Sequence, residues 1–536
     1  MRLAKGPWSA SNWKVWGAAV AVAAAGVATA APAGATTADD QGAFSGVVAQ
    51  PDWASGGQNN HNTHNSATEN IINPANVHSL APKWTFTTAG DVSATPTVVN
   101  GTVYVPDWGG KLWAINAQTG KAVWSNTIES YNGVPGDVSR TSPAYWAGEL
   151  VIGTGAQTIT ALDGAYVVGI DATTGKELWK TEVDSDPAAV VTSSPTIDNG
   201  VIYVGTSSKA EAITATPTFR GALLALDAKT GKILWKTVTV PQGYTGGAVW
   251  GSQPVVDHKT GMVYVGVGNN YSSPPGVCED PKETNCTPPS ADDHIDSVLG
   301  LSLATGSIQW SRPTLTADTW TVYEPGQAPD FDFGTDPNLY TTTINGKATD
   351  LLGIGQKSGV YWALDPATGK VVWQTQAGPG GALGGIEWGT ATDGKHIFAD
   401  IANGDHLPYT VTAADGTKST TTGGLFVALD PATGKIDWQT ADPQAATGNW
   451  LDDSFVSSAN GVMYAGSSAP TGTNMYALDA DTGKVLWSYA SGGSVFAGAA
   501  IVKGNVFWGT GYHTSKVGLG YAGDNNKLYD FTLNGR

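Results

Sequence analysis

The stretch "APDFDFGTDPN", residues 328–338, sets Asp330, Asp332 and Asp336 among two phenylalanines, a glycine and two prolines. A carboxylate within hydrogen-bond reach of a hydroxyl can take its proton, and carboxylate oxygens suit a hard cation. Solvated loops often carry Asp but rarely interleave it with Phe, so this loop is expected to enter a buried place. Other stretches carry weaker chemistry. "GGQNNHNTHN" (56–65) brings His61 and His64 together with four Asn residues, but without Cys or a further His nearby it is a poor zinc site and reads as a lead-in loop. "DDHIDS" (292–297) places His294 and Asp296 just ahead of a strand pattern.

Cys278 and Cys286, the only two cysteines, sit in the Pro-rich insert "PPGVCEDPKETNCTPP", where a disulfide would pin a segment with no strand pattern. There is no CxxC redox pair and no CxxCH haem attachment. A Gly-rich phosphate loop between strand and helix is missing, as is a GxSxG elbow, so nucleotide-binding and serine-hydrolase readings fail.

The 536 residues are 41% hydrophobic, enough for a large core, and carry a formal net charge of −18. That balance excludes a nucleic-acid backbone as partner, which needs concentrated positive charge. Gly (69), Trp (21) and Tyr (18) are abundant while charged residues are few, which suits short strands and tight turns better than helices. At the start, Arg2, Lys5 and Lys14 precede an alanine-rich apolar run that ends in small residues at Ala33 to Ala35. This pattern predicts a secretory signal over 1–35 and an exported protein, periplasmic or extracellular, with no stable membrane span.

Internal repetition supplies the architecture. The copies are "AINAQTGKAVW", "GIDATTGKELW", "ALDAKTGKILW", "GLSLATGSIQW", "ALDPATGKVVW", "ALDPATGKIDW" and "ALDADTGKVLW", each an apolar strand, a TG turn and a strand ending in Trp. Strands such as "GVIYVG" precede most of them. "LAPKWTF" (80–86) and "NKLYDFTLNGR" (526–536) are two half-copies that join across the ends. The expectation is an all-β, eight-bladed propeller of four-stranded antiparallel blades, its ring closed by pairing N- and C-terminal strands, which removes the exposed sheet edge. Residues 36–79 are assigned to an N-terminal extension with the lead-in loop, and 80–536 to the propeller. The repeat tryptophans read as wedges between blades. Function is expected where the repeat is interrupted, and the widest Trp-to-Trp interval, Trp235 to Trp310, is followed by long ones to Trp373 and Trp438.

With these motifs the chain, over about residues 50–536, resembles the pyrroloquinoline-quinone (PQQ) dependent alcohol dehydrogenases. It looks most like the polyvinyl alcohol dehydrogenase branch, without a cytochrome c domain. The resemblance implies PQQ and Ca2+ as cofactors. It places Glu211 ("YVGTSSKAEA") and Asn269 ("VYVGVGNNYSSP") as metal and cofactor contacts, Trp250 ("GGAVWGSQP") under the planar quinone, and Arg140 ("GDVSRTSP") on a cofactor carboxylate. In "PDFDFG" it makes Asp332 the general base and a third metal contact, and in "GIGQKSGVYWALD" it puts Lys357 near the quinone oxygens. Phe331 and Phe333 would anchor that loop, with Asp330 and Asp336 as turn formers. Two departures stand out. Pro135 and Gly136 replace the adjacent cysteines of the small-alcohol enzymes, and Gly334 stands where lanthanide-using relatives carry an additional Asp, which leans to calcium.

The resulting expectation is an exported quinoprotein oxidising alcohols to ketones or aldehydes. Secondary or polymeric alcohols of the polyvinyl alcohol type are the substrate expected from the branch. Electrons would pass to an external acceptor such as a cytochrome c. The competing readings are a non-catalytic envelope propeller and a quinoprotein for sugars or aromatic alcohols. Glu387 and Trp388 in "GGIEWGT" are weaker candidates to line the funnel.

Overall fold

The computed structural model describes residues 52–155, 163–251, 253–323, 328–448, 450–512 and 523–536. The signal expected over 1–35 lies outside the described residues. Eight four-stranded antiparallel sheets form the molecule, as the repeats predict. Their first strands are Thr97–Val99, Ala144–Trp146, Thr196–Asp198, Val255–Asp257, Asn338–Ile344, Ala391–Thr392, Ser457–Ala459 and Ala500–Val502. Each touches the first strand of the next blade, and the last touches the first, so these strands are the inner wall of a closed ring.

Burial follows strand position within a blade. The third strand, such as Ala222–Asp227, is buried on both faces and reads as an unbroken apolar run, "ALLALD". The fourth, such as Ile233–Val238, alternates half-buried and exposed residues, as an outer strand with one wet face should. Closure is made by Leu80–Thr87 pairing antiparallel with Lys527–Leu533, with Trp84 opposite Asp530.

The repeat motif is a latch between blades. The indole N–H groups of Trp84, Trp124, Trp179, Trp235, Trp310, Trp373 and Trp438 each donate to a carbonyl in the following blade's turn, at 2.7–3.2 Å. Trp487 completes the circle by donating to Leu80 O at 2.9 Å. The glycine of each TG turn lies flat on the preceding tryptophan, and a Cβ at Gly231 or Gly434 would overlap that ring. It also holds a φ of +67° at Gly231 and +70° at Gly434. Glycine thus meets two requirements at once, turn conformation and close approach. The Asp before it accepts the turn's Thr amide and hydroxyl, as Asp227 does from Thr230 at 2.9 and 2.6 Å.

Residues 53–69, which include the lead-in loop, bind the inner wall blade by blade in chain order. Trp53 exchanges both backbone hydrogen bonds with Val98, and the carbonyls of Ala54, Asn60, His61, Thr63 and His64 accept from Tyr145, Val256, Leu339, Thr392 and Ser458. Asn60 also donates to Ile197 O, and Glu69 accepts from Gly504 N beside the last inner strand. This band therefore ties all eight innermost strands together. The Cys278–Cys286 disulfide is formed. Among the described residues the helices are short turns, and no helix is long and apolar enough to cross a membrane.

Candidate active site

Segments that lead into innermost strands carry Trp250, Asp330, Asp332 and Glu387, while Glu211, Asn269 and Lys357 follow the second strands of their blades. In the segment ahead of Asn338–Ile344, Phe333 is fully buried among Val255, Tyr264 and Leu352 and anchors the loop. Phe331 is half-buried, and its carbonyl accepts from Gln356 Nε2 at 2.7 Å. The N–H groups of Asp330 and Phe331 both donate to the Asp318 carboxylate, at 3.1 and 2.9 Å. Held so, Asp332 is 4% exposed.

Both Asp332 oxygens are engaged. Oδ2 accepts the indole N–H of Trp250 at 2.8 Å, and Oδ1 accepts the backbone N–H of Asn269 at 2.6 Å. The ammonium of Lys357 lies 3.4 Å from Oδ2 and 5.3 Å from the Trp250 ring centre. Gly334 lies beneath Trp250; a Cβ there would sit 2.6 Å from the ring's Cη2 and 2.8 Å from the Glu387 carbonyl. The departure from the lanthanide pattern at this position thus has a steric reason in this chain.

Asp330 and Asp336 do more than form turns. Asp330, 1% exposed with a φ of +57°, places both oxygens 3.2 Å from Lys357 Nζ. Asp336 accepts from Gln253 N at 2.5 Å and pairs with His64 Nε2 at 3.0 Å. Positive φ is uncommon for a non-glycine residue but is tolerated best by Asp and Asn. The partners that set Asp330 and Asp336 apart, Lys357, Gln253 and His64, lie far from the loop in sequence.

Around Lys357 the charge balance is strongly acidic. Burial pulls the Lys357 ammonium down, but the carboxylates of Asp330, Asp332, Glu387 and Glu211 together outweigh it and the net shift is well upward. Burial raises Asp330 well above the usual carboxylate range, opposed by Lys357 and reinforced by its acidic neighbours. Desolvation, with Asp332 and Glu387 close by, pushes Glu211 up to about 7 against the pull of Lys357. Glu387 is raised by burial as well, with Lys357 opposing. Four carboxyl groups share one ammonium here, a donor set that suits an additional oxygen-seeking cation.

Asn269 is prepared for such a cation. Its amide nitrogen donates to Asn270 O and Trp320 O, both at 2.9 Å, which turns the carboxamide oxygen to the opposite side. Glu211 sits on the helical turn Ala210–Ile213, and its carbonyl accepts from Val322 N at 3.2 Å, so the segment 318–322 reaches both residues.

Arg140 stands apart from this centre, across Trp388. Its guanidinium lies 4.4 Å from the Trp388 ring centre and donates to Tyr512 Oη at 3.0 Å. Trp388 in turn meets Trp250 edge-on, with ring centres 5.2 Å apart and planes at 87°. Arg140 does not pair with Asp137, which is buried and bound by Asn132 and its own Val138 amide. Instead it faces a cavity lined by Ser93, Ser142, Thr192 and Ser194 and by Trp388, Phe455, Phe496 and Tyr512. A cation, hydroxyl donors and flat aromatic walls suit a planar polycarboxylate.

The structure therefore brings Glu211, Trp250, Asn269, Asp332 and Lys357 together and places Arg140 beyond Trp388. Sequence reading passed over Asp318 and Tyr512, took Asp330 for a turn former, and gave little weight to Glu387 and Trp388. A usable signal existed. Ser93, Arg140, Thr192, Trp250, Gly334, Glu387 and Phe496 all fall just ahead of an innermost strand, often before an "SP" or "QP" pair. The clusters of two cysteines and Glu283 that lie near one another do not form a metal site, because the cysteines are bridged.

Comparison with known proteins agrees with this geometry. A family model described as "Glucose/ethanol/alcohol dehydrogenase, beta-propeller domain" of the PQQ group matches residues 53–379. A model of the outer membrane protein assembly factor BamB matches residues 356–511. A polyvinylalcohol dehydrogenase of Sphingopyxis sp. (strain 113P3) is 33% identical over 524 residues, covering 87% of this chain and 74% of that protein. A second, from a Pseudomonas species, is 28% identical over 520 residues with the same coverage, 87% and 74%. The solved structure of the quinohemoprotein alcohol dehydrogenase ADHIIG from Pseudomonas putida HK5 superposes with a TM-score of 0.71 at 20% identity, over 91% of this chain and 81% of that one. The latched eight-blade ring, the carboxylate–lysine centre and these matches together show that the chain belongs to the family of PQQ-dependent alcohol dehydrogenase β-propellers.

Proposed function

We propose that the protein oxidises secondary or polymeric alcohols of the polyvinyl alcohol type to ketones or aldehydes, with PQQ and Ca2+ bound and Asp332 as general base. The observation that carries this reading is the fixed Asp332 carboxylate, held by Trp250 and Asn269 with Lys357 at 3.4 Å. Glu211, the Asn269 carboxamide and Asp332 would hold the calcium, and Arg140 with Ser142 and Ser194 would hold the carboxylates of PQQ. When bound, PQQ supplies the two-electron acceptor and Ca2+ the Lewis acid.

The chain's own residues do the rest. Asp332 accepts the hydroxyl proton of the alcohol at the carboxylate while Trp250 and Asn269 keep it from rotating. Lys357 carries a firm positive charge and stabilises negative charge that develops beside it. Asp330 keeps that ammonium in place between the two carboxylates. Trp250, braced by Gly334 and Trp388, offers a platform for a planar ligand and excludes water from one side. The exposed side chains of Val322 and Tyr323, next to the Glu211 contact, offer apolar surface for a chain-like substrate. The substrate class itself is supported by the names of the two polyvinylalcohol dehydrogenases.

With no CxxCH motif in these residues, we assign the electrons to a separate acceptor such as a cytochrome c. Export to the periplasm or cell exterior is supported by the signal pattern over 1–35 and by the disulfide, which persists in oxidising compartments. The test is reconstitution of the purified protein with PQQ and calcium, following quinone absorbance and dye reduction with primary, secondary and polymeric alcohols. Binding of PQQ with turnover on secondary or polymeric alcohols is the expected result. Failure to bind PQQ would overturn the reading and favour a scaffold propeller.

A further inference from the structure

The insertion between Asn270–Ser272 and Ser297–Ser302 has little secondary structure of its own. Val277 packs on Val240, Tyr244 and Ile295, and forms a parallel bridge with Thr287 in which the Cys278 and Thr287 amides donate to Thr287 O and Gly276 O. The rest, including Asp280 to Asn285, is exposed or half-buried. Its shape therefore depends on the Cys278–Cys286 bridge, which closes a ring of eight-residue separation around Glu279.

Glu279 is the point where this loop meets the active site. Its carbonyl accepts the Thr319 N–H at 2.9 Å, and the Thr319 hydroxyl pairs with Ser273 Oγ at 2.9 Å. From Thr319 the chain reaches the site in both directions. On one side the Asp318 carboxylate holds the amides of Asp330 and Phe331, and its carbonyl accepts Asn270 N at 2.9 Å. On the other, Trp320 N donates to Asn270 O, and Trp320 O accepts the Asn269 side-chain amide, both at 2.9 Å. Two residues on, Val322 N donates to Glu211 O.

We propose that the Cys278–Cys286 loop is a clamp that positions the segment 318–322, and through it orients the Asn269 carboxamide, Glu211 and the Asp332 loop toward the bound cation. The proposal rests on the reading of these residues as a calcium site, but its first consequence concerns the protein alone. Thr319 sits midway between the hydrogen bonds to Asn269 and to the Asp332 loop. Releasing Glu279 removes one of its tethers, leaving those to Ser273 and Asn270, and loosens a strand-less stretch. The blades, latched by tryptophans elsewhere, have no reason to respond.

The experiment compares the native protein with Cys278→Ser/Cys286→Ser and with native protein reduced by dithiothreitol after folding, so that a folding failure of the variant does not decide the matter. Backbone hydrogen exchange is followed in each without cofactor, and calcium binding is titrated in the presence of PQQ. Both bridge-free forms are expected to lose protection at residues 318–322 and 330–333 by about tenfold or more, with the blade strands unchanged. Their half-saturating calcium concentration is expected to rise several-fold. Unchanged protection in the segment overturns the clamp whether or not calcium binds. Lost protection with an unchanged calcium midpoint overturns its role in orienting the ligands. Lost protection with no calcium binding in any form, native included, leaves the tether standing but overturns its service to a calcium site, and with it the proposed function.

Discussion

Trp250 gives its indole N–H to Asp332, and the loop that carries Asp332 returns two residues later as Gly334 to lie beneath the same ring. The proposed base and the proposed platform are therefore one mechanical unit. Asp332→Asn keeps the shape and one accepting oxygen but removes the basic carboxylate. Turnover should fall about 10²-fold or more, while PQQ affinity, read from quinone absorbance, changes little. Asp332→Ala should instead weaken PQQ binding too, because Trp250 and the Asn269 amide lose their acceptor. Equal activity of the Asn variant and the native enzyme would move the base elsewhere, with Asp330 the first alternative.

Among the described residues Lys357 is the one ammonium beside Asp330 and Asp332, and all three side chains are nearly inaccessible. Removing one partner of a buried ion pair strands the others, which typically costs about 3–5 kcal/mol. Lys357→Met is expected to lower the urea midpoint by a corresponding amount at neutral pH. Adding Asp330→Asn should recover part of the loss, since one stranded carboxylate is then gone. A double variant no more stable than Lys357→Met would show that Asp330 does not depend on the lysine.

Blade number, ring closure and the role of the repeat tryptophans are legible in the sequence because each rests on a local, repeated pattern. The TG glycine could be read as a turn residue from its neighbours, but its second role, lying against a tryptophan some fifty residues earlier such as Trp179 under Gly231, is a tertiary fact. The same distinction separates the site residues. Asp332 and Asn269 sit in motifs that announce them. Asp318 and Asp330 look like ordinary loop carboxylates, and their importance comes from partners such as Lys357 that the fold brings from a distant strand end. The band of residues 53–69 was similarly opaque, because a segment that pairs with eight different strands shows no periodicity of its own.

Asp530 offers a pH test away from the active site. It lies buried at the ring closure opposite Trp84, neither carboxylate oxygen has a hydrogen-bond partner among the described residues, and Lys83 Nζ stays 3.9 Å away. Burial pushes its carboxyl from 3.8 up to about 7, with Lys83 opposing. The folded protein thus holds this proton more tightly than the unfolded chain. Stability from this group falls as pH rises from about 4 to about 7 and is flat above that. Full development of the effect is on the order of 4 kcal/mol. Asp530→Asn is expected to flatten the pH dependence of urea stability in this window and to be more stable than native above pH 7. A variant with the native slope would show that the carboxyl ionises freely.

His64 links the central band to the loop that carries Asp332. Its Nε2 is 3.0 Å from Asp336 Oδ2, its carbonyl accepts Ser458 N at 2.8 Å, and its ring stacks on Phe455 at 6.1 Å, beside the cavity that Arg140 faces. Removing the imidazole takes a partner from the buried Asp336 and opens a void under Phe455. His64→Ala should therefore cost about 2–4 kcal/mol in stability. Because Asp336 terminates the loop that carries Asp332, PQQ affinity should fall as well, and hydrogen exchange at residues 330–336 should speed up before the blades unfold. His64→Asn, which keeps a donor toward Asp336 in a smaller side chain, should restore a good part of both. If His64→Ala lost stability while PQQ affinity and loop protection stayed at native values, the band would be a purely structural closure of the ring, with no hold on the Asp332 loop.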